Sequence, residues 1–344
     1  MLKEIFKYQK VSDTFFRPLG AGFSILFPLV LGLIIHNMEM AQFSVLGAFS
    51  FLAFQRKSIF YNLKATTLHG VALLGSFSLG ILVSKSIFLL PFVIALLSII
   101  GFFIVKIYNI PKPAHFFVIM LFATGTNTHL LSLEFINIMI YVSIGVCSGI
   151  INSVIVSFFL KLPWKTPKSK FQNLSFKDKY YVVVYNKPKI WIDAIHFSFI
   201  LFIAGYLSYL LRAEFGYWVL ISSAAVLSGE EIEVIKHRYK GRVVGSIIGI
   251  IIGILLLSLN LSIPEIIIVL LVLNIAIEYF MPRNYTIANF FTNPLVMLLG
   301  GLTSVVDPTF IVLTRLNGAI LGSLIAGVLI SIMHYALKIN NMEY

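Results

Sequence analysis

The sequence predicts an all-α, polytopic membrane protein with about twelve transmembrane helices in two parallel six-helix repeats. Of the 344 residues, 59% are apolar and only 12% are charged. The mean hydropathy of +0.95 is far above that of a water-soluble chain of this size. The charged residues stand in short clusters between long apolar runs, which is the pattern that encodes membrane topology.

Apolar windows long enough to cross roughly 30 Å of hydrocarbon predict six spans in each half of the chain. In the first half these windows cover residues 19–36, 40–55, 66–84, 87–106, 113–130 and 135–160. In the second half they cover 191–211, 215–229, 243–260, 264–280, 285–304 and 309–337. We therefore divide the chain into a first membrane repeat (1–160), a basic cytoplasmic linker (161–190) and a second membrane repeat (191–344).

The basic residues predict that both termini are cytoplasmic. If the amino terminus lies in the cytoplasm, 23 of the 26 basic residues fall on the cytoplasmic side, as the positive-inside rule requires. Only Lys85, Arg212 and Arg315 fall on or near the outer side. An odd number of spans in either half would remove this asymmetry.

The two halves resemble an internal duplication with a nearly constant offset of about 174 residues. Because each half has an even number of spans, the repeats are parallel and related by a pseudo-twofold axis along the membrane normal, and the transport path is expected in the cleft between them. The aligned positions are Phe43, Val45 and Leu46 with Tyr217, Val219 and Leu220, Phe116 and Phe117 with Phe290 and Phe291, and Gly145 and Gly149 with Gly318 and Gly322.

Several glycines are predicted to allow close helix packing, and we assign them no role in binding. Gly245, Gly249 and Gly253 form two overlapping GxxxG steps, a spacing that lets helix backbones approach each other. The only cysteine, Cys147, lies in an apolar run and is expected to be a small packing residue.

The sequence lacks the motifs of a membrane enzyme or an ATP-driven pump. No GxxxxGK[ST], HExxH or GxSxG pattern occurs, and no paired histidine ligands are present. We therefore expect no enzyme activity, no metal and no cofactor. The net charge of +12 is dispersed between apolar runs, so we expect the lipid bilayer and no nucleic acid as a partner. The sequence leaves open whether the chain forms a homo-oligomer.

Spans two, five, eight and eleven are short or broken, and they occupy corresponding places in the two halves. In paired transporter repeats, such interrupted spans point to the substrate-binding region. Pro294 in span eleven would release a backbone carbonyl for an ion or water, although a plain helix kink is the alternative. The polar candidates on these spans are Asn127, Ser222, Ser223, Asn289 and Asn293.

Three ionisable residues within or near spans are further candidates. Arg315 lies inside a span, where inserting an arginine into the membrane costs roughly 2.5–3.5 kcal/mol of free energy. We therefore expect it to attract an anionic substrate. Alternatively, its side chain snorkels outward or pairs with Asp307. Arg242 is expected to begin span nine as a topology anchor, with substrate contact as the less favoured role. His69, about a turn inside span three, is a proton-coupling candidate or a packing histidine.

A family resemblance rests on three segments of the second half. Tyr217-Trp218-Val219-Leu220 with the two following serines, and the stretch from Arg242 to Gly249, resemble the core signature of the fusaric acid resistance protein-like family, which includes aromatic acid exporters. The stretch from Arg315 to Gly322 resembles the last conserved helix of that family. The resemblance covers residues 205–335, whereas the first half matches only in layout.

The resemblance implies an inner-membrane permease or efflux protein for small organic, often aromatic, anions. We expect secondary-active efflux of such organic acids or of related toxic compounds. Tyr217 and Trp218 would then flank the pore and stack on an aromatic substrate, although both residues also suit an interfacial aromatic belt. Leu68 and Tyr141 stand where the first half would carry the counterparts of Arg242 and Arg315. A passive organic-anion channel and a non-transporting membrane scaffold are the alternative functions.

Overall fold

The computed structural model describes residues 6–11, 15–111, 115–128, 133–167, 170–187, 189–211, 215–229, 232–302 and 308–339. Within these ranges every long element is a helix and no strand occurs. The all-α prediction is therefore confirmed for the described part of the chain.

Twelve helices of 11 or more residues, α1 to α12, follow one another in the described residues. The first six are α1 (Phe16–Ile34), α2 (Met38–Ala48, continued by a 3-10 turn Phe49–Ala53), α3 (Ile59–Ser84), α4 (Leu90–Tyr108, preceded by a 3-10 turn Ile87–Leu89), α5 (Phe116–Thr126) and α6 (Phe135–Phe159). The next six are α7 (Lys189–Leu210), α8 (Gly216–Leu227), α9 (Ile232–Ser258), α10 (Ile263–Phe280), α11 (Tyr285–Gly301) and α12 (Pro308–Ile339). The segment between α6 and α7 contains two short helices, Lys170–Asn173 and Phe176–Tyr180, and a π-helical turn, Tyr181–Tyr185.

Eight helices of the described chain are long and apolar enough to cross a membrane, so the protein is a multi-pass membrane protein. These eight are α1, α3, α4, α6, α7, α9, α10 and α12. The other four, α2, α5, α8 and α11, have only 11, 11, 12 and 17 residues. The short helices therefore occupy the second and fifth places of each half, which are the places predicted from the sequence to be short or broken.

Two helices begin well before the apolar windows that predicted them, because they continue through charged residues. Helix α3 begins at Ile59 rather than at residue 66, and α9 begins at Ile232 rather than at residue 243. His69 and Arg242 therefore each lie ten residues inside their helices, or about 15 Å at 1.5 Å per residue. Cys147, expected to pack against other helices, is exposed on α6.

The chain divides into two compact units, and the first contains Met1–Gly75, Leu131–Lys165 and Lys240–Asn317. It holds α1, α2, α6, α10 and α11 together with parts of α3, α9 and α12. Its apolar core is formed by α1, α2, α10 and α11. The Asn274 side chain of α10 donates from Nδ2 to the carbonyl oxygen of Ala21 on α1 at 2.9 Å, which joins a helix of the first half to one of the second.

The second unit contains Ser76–Leu130, Thr166–Tyr239 and Gly318–Tyr344. It holds α4, α5, α7 and α8 together with the remaining parts of α3, α9 and α12. Its core includes Phe122, Leu201 and Leu220. The Ser198 hydroxyl of α7 donates to the carbonyl oxygen of Ala95 on α4 at 2.9 Å. This unit therefore also combines helices from both halves of the chain.

Very close helix crossings occur at corresponding positions of the two units. In the first unit, a Cβ added at Gly145 of α6 would lie 1.7 Å from the carbonyl oxygen of Ser44 on α2. In the second unit, a Cβ added at Gly318 of α12 would lie 2.3 Å from Cβ of Trp218 on α8. Ser44 and Trp218 are 174 residues apart, which is the offset found in the sequence.

Candidate functional site

Two buried arginines and two buried asparagines are hydrogen-bonded to each other within the first unit. We call Arg242 of α9, Asn289 and Asn293 of α11 and Arg315 of α12 the arginine–asparagine cluster. Nη1 of Arg242 donates to Oδ1 of Asn289 at 3.1 Å, and Nε of Arg315 donates to Oδ1 of Asn293 at 2.9 Å. None of the four residues is more than 5% exposed. The structure therefore brings four of the predicted candidates into one site.

The backbone of α11 orients both asparagine side chains toward the arginines. Nδ2 of Asn289 donates to the carbonyl oxygen of Tyr285 at 2.7 Å, and Nδ2 of Asn293 donates to that of Asn289 at 3.2 Å. With each amide nitrogen bonded back to its own helix, each Oδ1 is left to accept from a guanidinium group. Because the two asparagines are four residues apart, they lie on one face of α11, about 6 Å apart along its axis.

Glycines of α9 allow this helix to approach α11 closely enough for the Arg242 contact. A Cβ added at Gly245 would lie 2.6 Å from Cβ of Asn289, and one at Gly249 would lie 2.5 Å from the Asn289 carbonyl oxygen. The same face of α9 continues at Gly241, where a Cβ would lie 2.5 Å from Oγ1 of Thr286. Gly241 was not among the predicted GxxxG positions, although it stands four residues before Gly245 and so extends the same spacing.

Pro294 lies on α11 directly after the second asparagine of the cluster. A proline has no backbone N–H, so the carbonyl oxygen of Phe290 loses its usual helical donor. A Cβ added at Gly249 would lie 3.1 Å from this oxygen, so the carbonyl faces α9. The proline therefore leaves a backbone acceptor next to the cluster.

The beginning of α11 is held by Asn284, a residue that the sequence analysis missed. Oδ1 of Asn284 accepts from the backbone N–H of Ile287 at 2.9 Å and so caps the helix. Its Nδ2 donates to the carbonyl oxygen of Lys7 at 3.1 Å, and the backbone N–H of Gln9 donates to the carbonyl oxygen of Arg283 at 2.9 Å. The segment before α1 is thereby attached to the loop that leads into α11.

Aromatic contacts strengthen the attachment of this segment. The ring centroids of Phe6 and Phe290 lie 6.4 Å apart, and the guanidinium of Arg283 lies 4.0 Å from the ring centroid of Tyr279. A hydrogen bond with Tyr279 raises the pKa of the Tyr8 hydroxyl, which lies outside the membrane-spanning helices. The amino-terminal segment and the helix that carries both asparagines are therefore linked at several points.

The positions of Arg315 and Arg242 can be compared with those predicted from the sequence. Arg315 was predicted to lie inside a helix, and it does; its side chain is only 3% exposed and bonds Asn293, so it does not snorkel outward. Asp307, its alternative partner, lies outside the described residues. Arg242 was expected to begin its span as a topology anchor, whereas it lies well inside α9 and its side chain is buried against α11.

Four other candidates lie on α8 in the second unit. Ser222 and Ser223 are fully buried, and Oγ of Ser223 donates to the carbonyl oxygen of Gly322 on α12 at 2.8 Å. The rings of Tyr217 and Trp218 lie 4.6 Å apart and pack against the core of this unit. These contacts attach α8 to its neighbours, and a role of the four residues in substrate binding stays a prediction.

Asn127 and His69 have surroundings that do not identify a ligand. Asn127 follows the last residue of α5, and its backbone N–H donates to the carbonyl oxygen of Thr124 at 3.1 Å. His69 is half-buried on α3. Among the residues with described positions, no group of three histidine, cysteine, aspartate or glutamate side chains could hold a metal ion.

The electrostatics of the arginine–asparagine cluster suit the binding of an anion. A guanidinium inside a transmembrane helix costs roughly 2.5–3.5 kcal/mol on insertion scales, and a hydrogen bond to a charged group returns only about 1.5–3 kcal/mol. A carboxylate has the opposite charge to a guanidinium, and its two oxygens match the planar guanidinium fork.

A family model described as fusaric acid resistance protein-like matches residues 203–329 of the chain. The match extends from α7 into α12 and contains all four residues of the arginine–asparagine cluster. It confirms the resemblance predicted for residues 205–335. No curated protein and no solved structure gives a significant match to the chain.

Proposed function

We propose that this protein exports small organic acids, including aromatic ones, across the inner membrane. The proposal starts from the fusaric acid resistance protein-like region at residues 203–329. The observation that carries the proposal is the arginine–asparagine cluster, which lies inside the matched region. In it, two buried arginines of α9 and α12 are hydrogen-bonded to two asparagines on adjacent turns of α11. We propose secondary-active rather than ATP-driven transport, since the sequence has no phosphate-binding loop.

We further propose that the chain crosses the membrane twelve times as two parallel repeats with cytoplasmic termini. The recurrence of short helices at places two and five of each half supports the repeat, and so does the shared offset of the close crossings at Gly145 and Gly318. The distribution of the basic residues supports the orientation. The four short helices would cross together with the eight long ones.

In the proposed mechanism, a carboxylate substrate binds the guanidinium groups of Arg242 and Arg315 in succession. Asn289 and Asn293, about 6 Å apart along the axis of α11, each bond one arginine, so the anion passes between two similar partners. Moderate binding at each step permits release, whereas one very strong site would trap the anion. His69 is the candidate for proton coupling, and Tyr217 and Trp218 are the candidates for stacking on an aromatic substrate.

The experiment is flux of radiolabelled aromatic carboxylates in proteoliposomes, with and without an imposed pH gradient. The parent is compared with Arg315→Ala and Arg242→Ala, and with Lys240→Ala as a matched control that removes an exposed cation of α9. We expect gradient-dependent flux that both arginine variants lose by at least roughly tenfold, the effect of about 1.4 kcal/mol. Lys240→Ala should retain the flux of the parent.

Other outcomes would support different functions. Rapid flux of the parent without a gradient would favour the passive organic-anion channel. No flux of any tested anion by the parent would contradict a transport role and favour the scaffold. Unchanged kinetics and anion selectivity in both arginine variants would remove the cluster from the transport path.

A further inference from the structure

We infer that the α2–α3 loop and the residues after α6 together bind the headgroup of an anionic phospholipid. We call this surface the basic loop pair; its first segment is 56–64 and its second is 161–165. Its cations are Arg56, Lys57 and Lys64 in the first segment and Lys161 and Lys165 in the second, and all five are exposed. The inference does not depend on the proposed transport function.

Backbone hydrogen bonds hold the two segments together as one surface. The N–H of Ile59 donates to the carbonyl oxygen of Pro163 at 3.0 Å, and the N–H of Phe60 donates to that of Trp164 at 3.1 Å. The N–H of Tyr61 donates to Oγ of Ser58 at 3.2 Å. The first turn of α3 is thus already satisfied by protein groups, so the lysine and arginine side chains would bind the anion.

Aromatic rings position two of the lysine ammonium groups. Nζ of Lys57 lies 4.3 Å from the ring centroid of Tyr61, and Nζ of Lys165 lies 5.3 Å from that of Phe60. Both distances are within the range of a cation–π interaction. The rings restrict two flexible side chains, which reduces the entropy lost when a phosphate binds.

The charges of the surface favour a negatively charged partner. No aspartate or glutamate occurs between Glu39 and Glu134, nor between Glu134 and Asp178, so neither segment contains a compensating acid. Clusters of four to eight basic residues beside a transmembrane helix are typical of binding to anionic lipids. The basic loop pair meets this description with five cations at the ends of α3 and α6.

The aromatic and apolar side chains of the surface favour a lipid over a soluble phosphate compound. Trp164 is 58% exposed and Phe60 is 46% exposed, and such rings prefer the headgroup level of a bilayer. Phe159, at the end of α6, is 69% exposed and extends this apolar surface. A lipid occupies both parts of the surface, with its phosphate at the lysines and its acyl chains along the apolar side chains.

The test is lipid binding by the full-length protein in detergent, followed by native mass spectrometry. Phosphatidylglycerol is the anionic probe and phosphatidylcholine the neutral one. The variant Lys57→Gln/Lys165→Gln should bind phosphatidylglycerol roughly thirty-fold more weakly than the parent, from about 1 kcal/mol for each lysine. The control Lys236→Gln/Lys240→Gln removes the same charge from α9, where Lys236 already pairs with Glu233 at 3.2 Å, and should retain binding.

A second variant distinguishes a specific loss of lipid binding from misfolding. Tyr61→Leu keeps every charge and should weaken phosphatidylglycerol binding several-fold, because Lys57 is no longer restrained. Equal losses in the two glutamine variants would indicate diffuse attraction and overturn the inference, as would equal binding of the two lipids by the parent. Displacement of the bound lipid by inorganic phosphate would assign the surface to a soluble anion instead.

Discussion

The substitution Gly249→Ala tests whether close packing of α9 on α11 maintains the arginine–asparagine cluster. The added methyl group would lie 2.5 Å from the carbonyl oxygen of Asn289 and 3.1 Å from Nδ2 of Asn293. The nearer neighbour, the Asn289 oxygen, is a backbone atom of α11 and cannot turn aside as the end of a flexible side chain could. Relief of the contact therefore requires α9 and α11 to move apart.

The size of the displacement follows from the geometry. An ordinary contact to the Asn289 oxygen begins at 3.4 Å, so the methyl group must move from 2.5 Å by about 0.9 Å. The hydrogen bond from Arg242 to Asn289, now 3.1 Å long, would stretch to about 4 Å if the helices separated in that direction, which is beyond bonding distance. Overpacking costs about 1–3 kcal/mol, and alanine regains up to about 1 kcal/mol of helix propensity. We expect a net loss of stability of up to about 2 kcal/mol.

The assay combines thermal unfolding in detergent with anion flux in proteoliposomes. Gly75→Ala on α3 is the matched control, because nothing lies within 4 Å of its added methyl group. The control should be as stable as the parent or slightly more stable, with unchanged flux. Gly249→Ala should reduce flux more than its change in stability explains, because it removes a specific hydrogen bond at the site.

One result would refute this reasoning. If Gly249→Ala matches Gly75→Ala in both unfolding midpoint and flux, then α9 and α11 tolerate the methyl group, and close packing at Gly249 does not hold Arg242 in place. A loss of stability with normal flux would separate the packing from the function and remove Arg242 from the transport path.

Three further predictions also concern the first unit. Arg242→Lys should lower anion flux at least roughly tenfold in the proteoliposome assay, because an ammonium lacks the planar fork of a guanidinium; normal flux would show that charge alone suffices. Asn284→Ala should cost about 1 kcal/mol through loss of the helix cap and should accelerate tryptic cleavage after Lys7, measured by mass spectrometry. Gly145→Ala should cost about 1–3 kcal/mol, because its methyl group would lie 1.7 Å from the Ser44 carbonyl oxygen; an unchanged unfolding midpoint in detergent would contradict this contact.

The helices could be located from the sequence because a membrane imposes a simple physical requirement on the chain. Long apolar runs mark helices whose backbone polar groups are satisfied internally, and hydropathy averaging detects them. The same averaging missed the beginning of α9, where Lys236 to Arg242 lower the mean hydropathy although the helix continues. Arg242 was placed at the membrane surface for this reason, whereas the helix carries it inward to Asn289.

The identities of the site residues could be predicted, but their partners could not. An arginine and several asparagines stand out in apolar helices because burying them is unfavourable without hydrogen bonds. Which group satisfies Arg315 depends on the packing of α11 against α12, and the partner is Asn293, 22 residues away, rather than a neighbour along its own helix. Asn284 could have been found, since asparagine before a predicted helix is a common cap.

The hydrogen bond from Asn274 to Ala21 has a consequence for how the protein is made. Its two residues are 253 positions apart, so a ribosome adding about 5–20 residues per second needs roughly 13–50 s between them. Throughout that interval α1 is already synthesised but lacks α10, the helix against which it finally packs. The face of α1 that later packs on α10 is therefore uncovered during synthesis of the intervening chain. Until synthesis has passed residue 274, membrane chaperones or incorrect helix partners can bind this face.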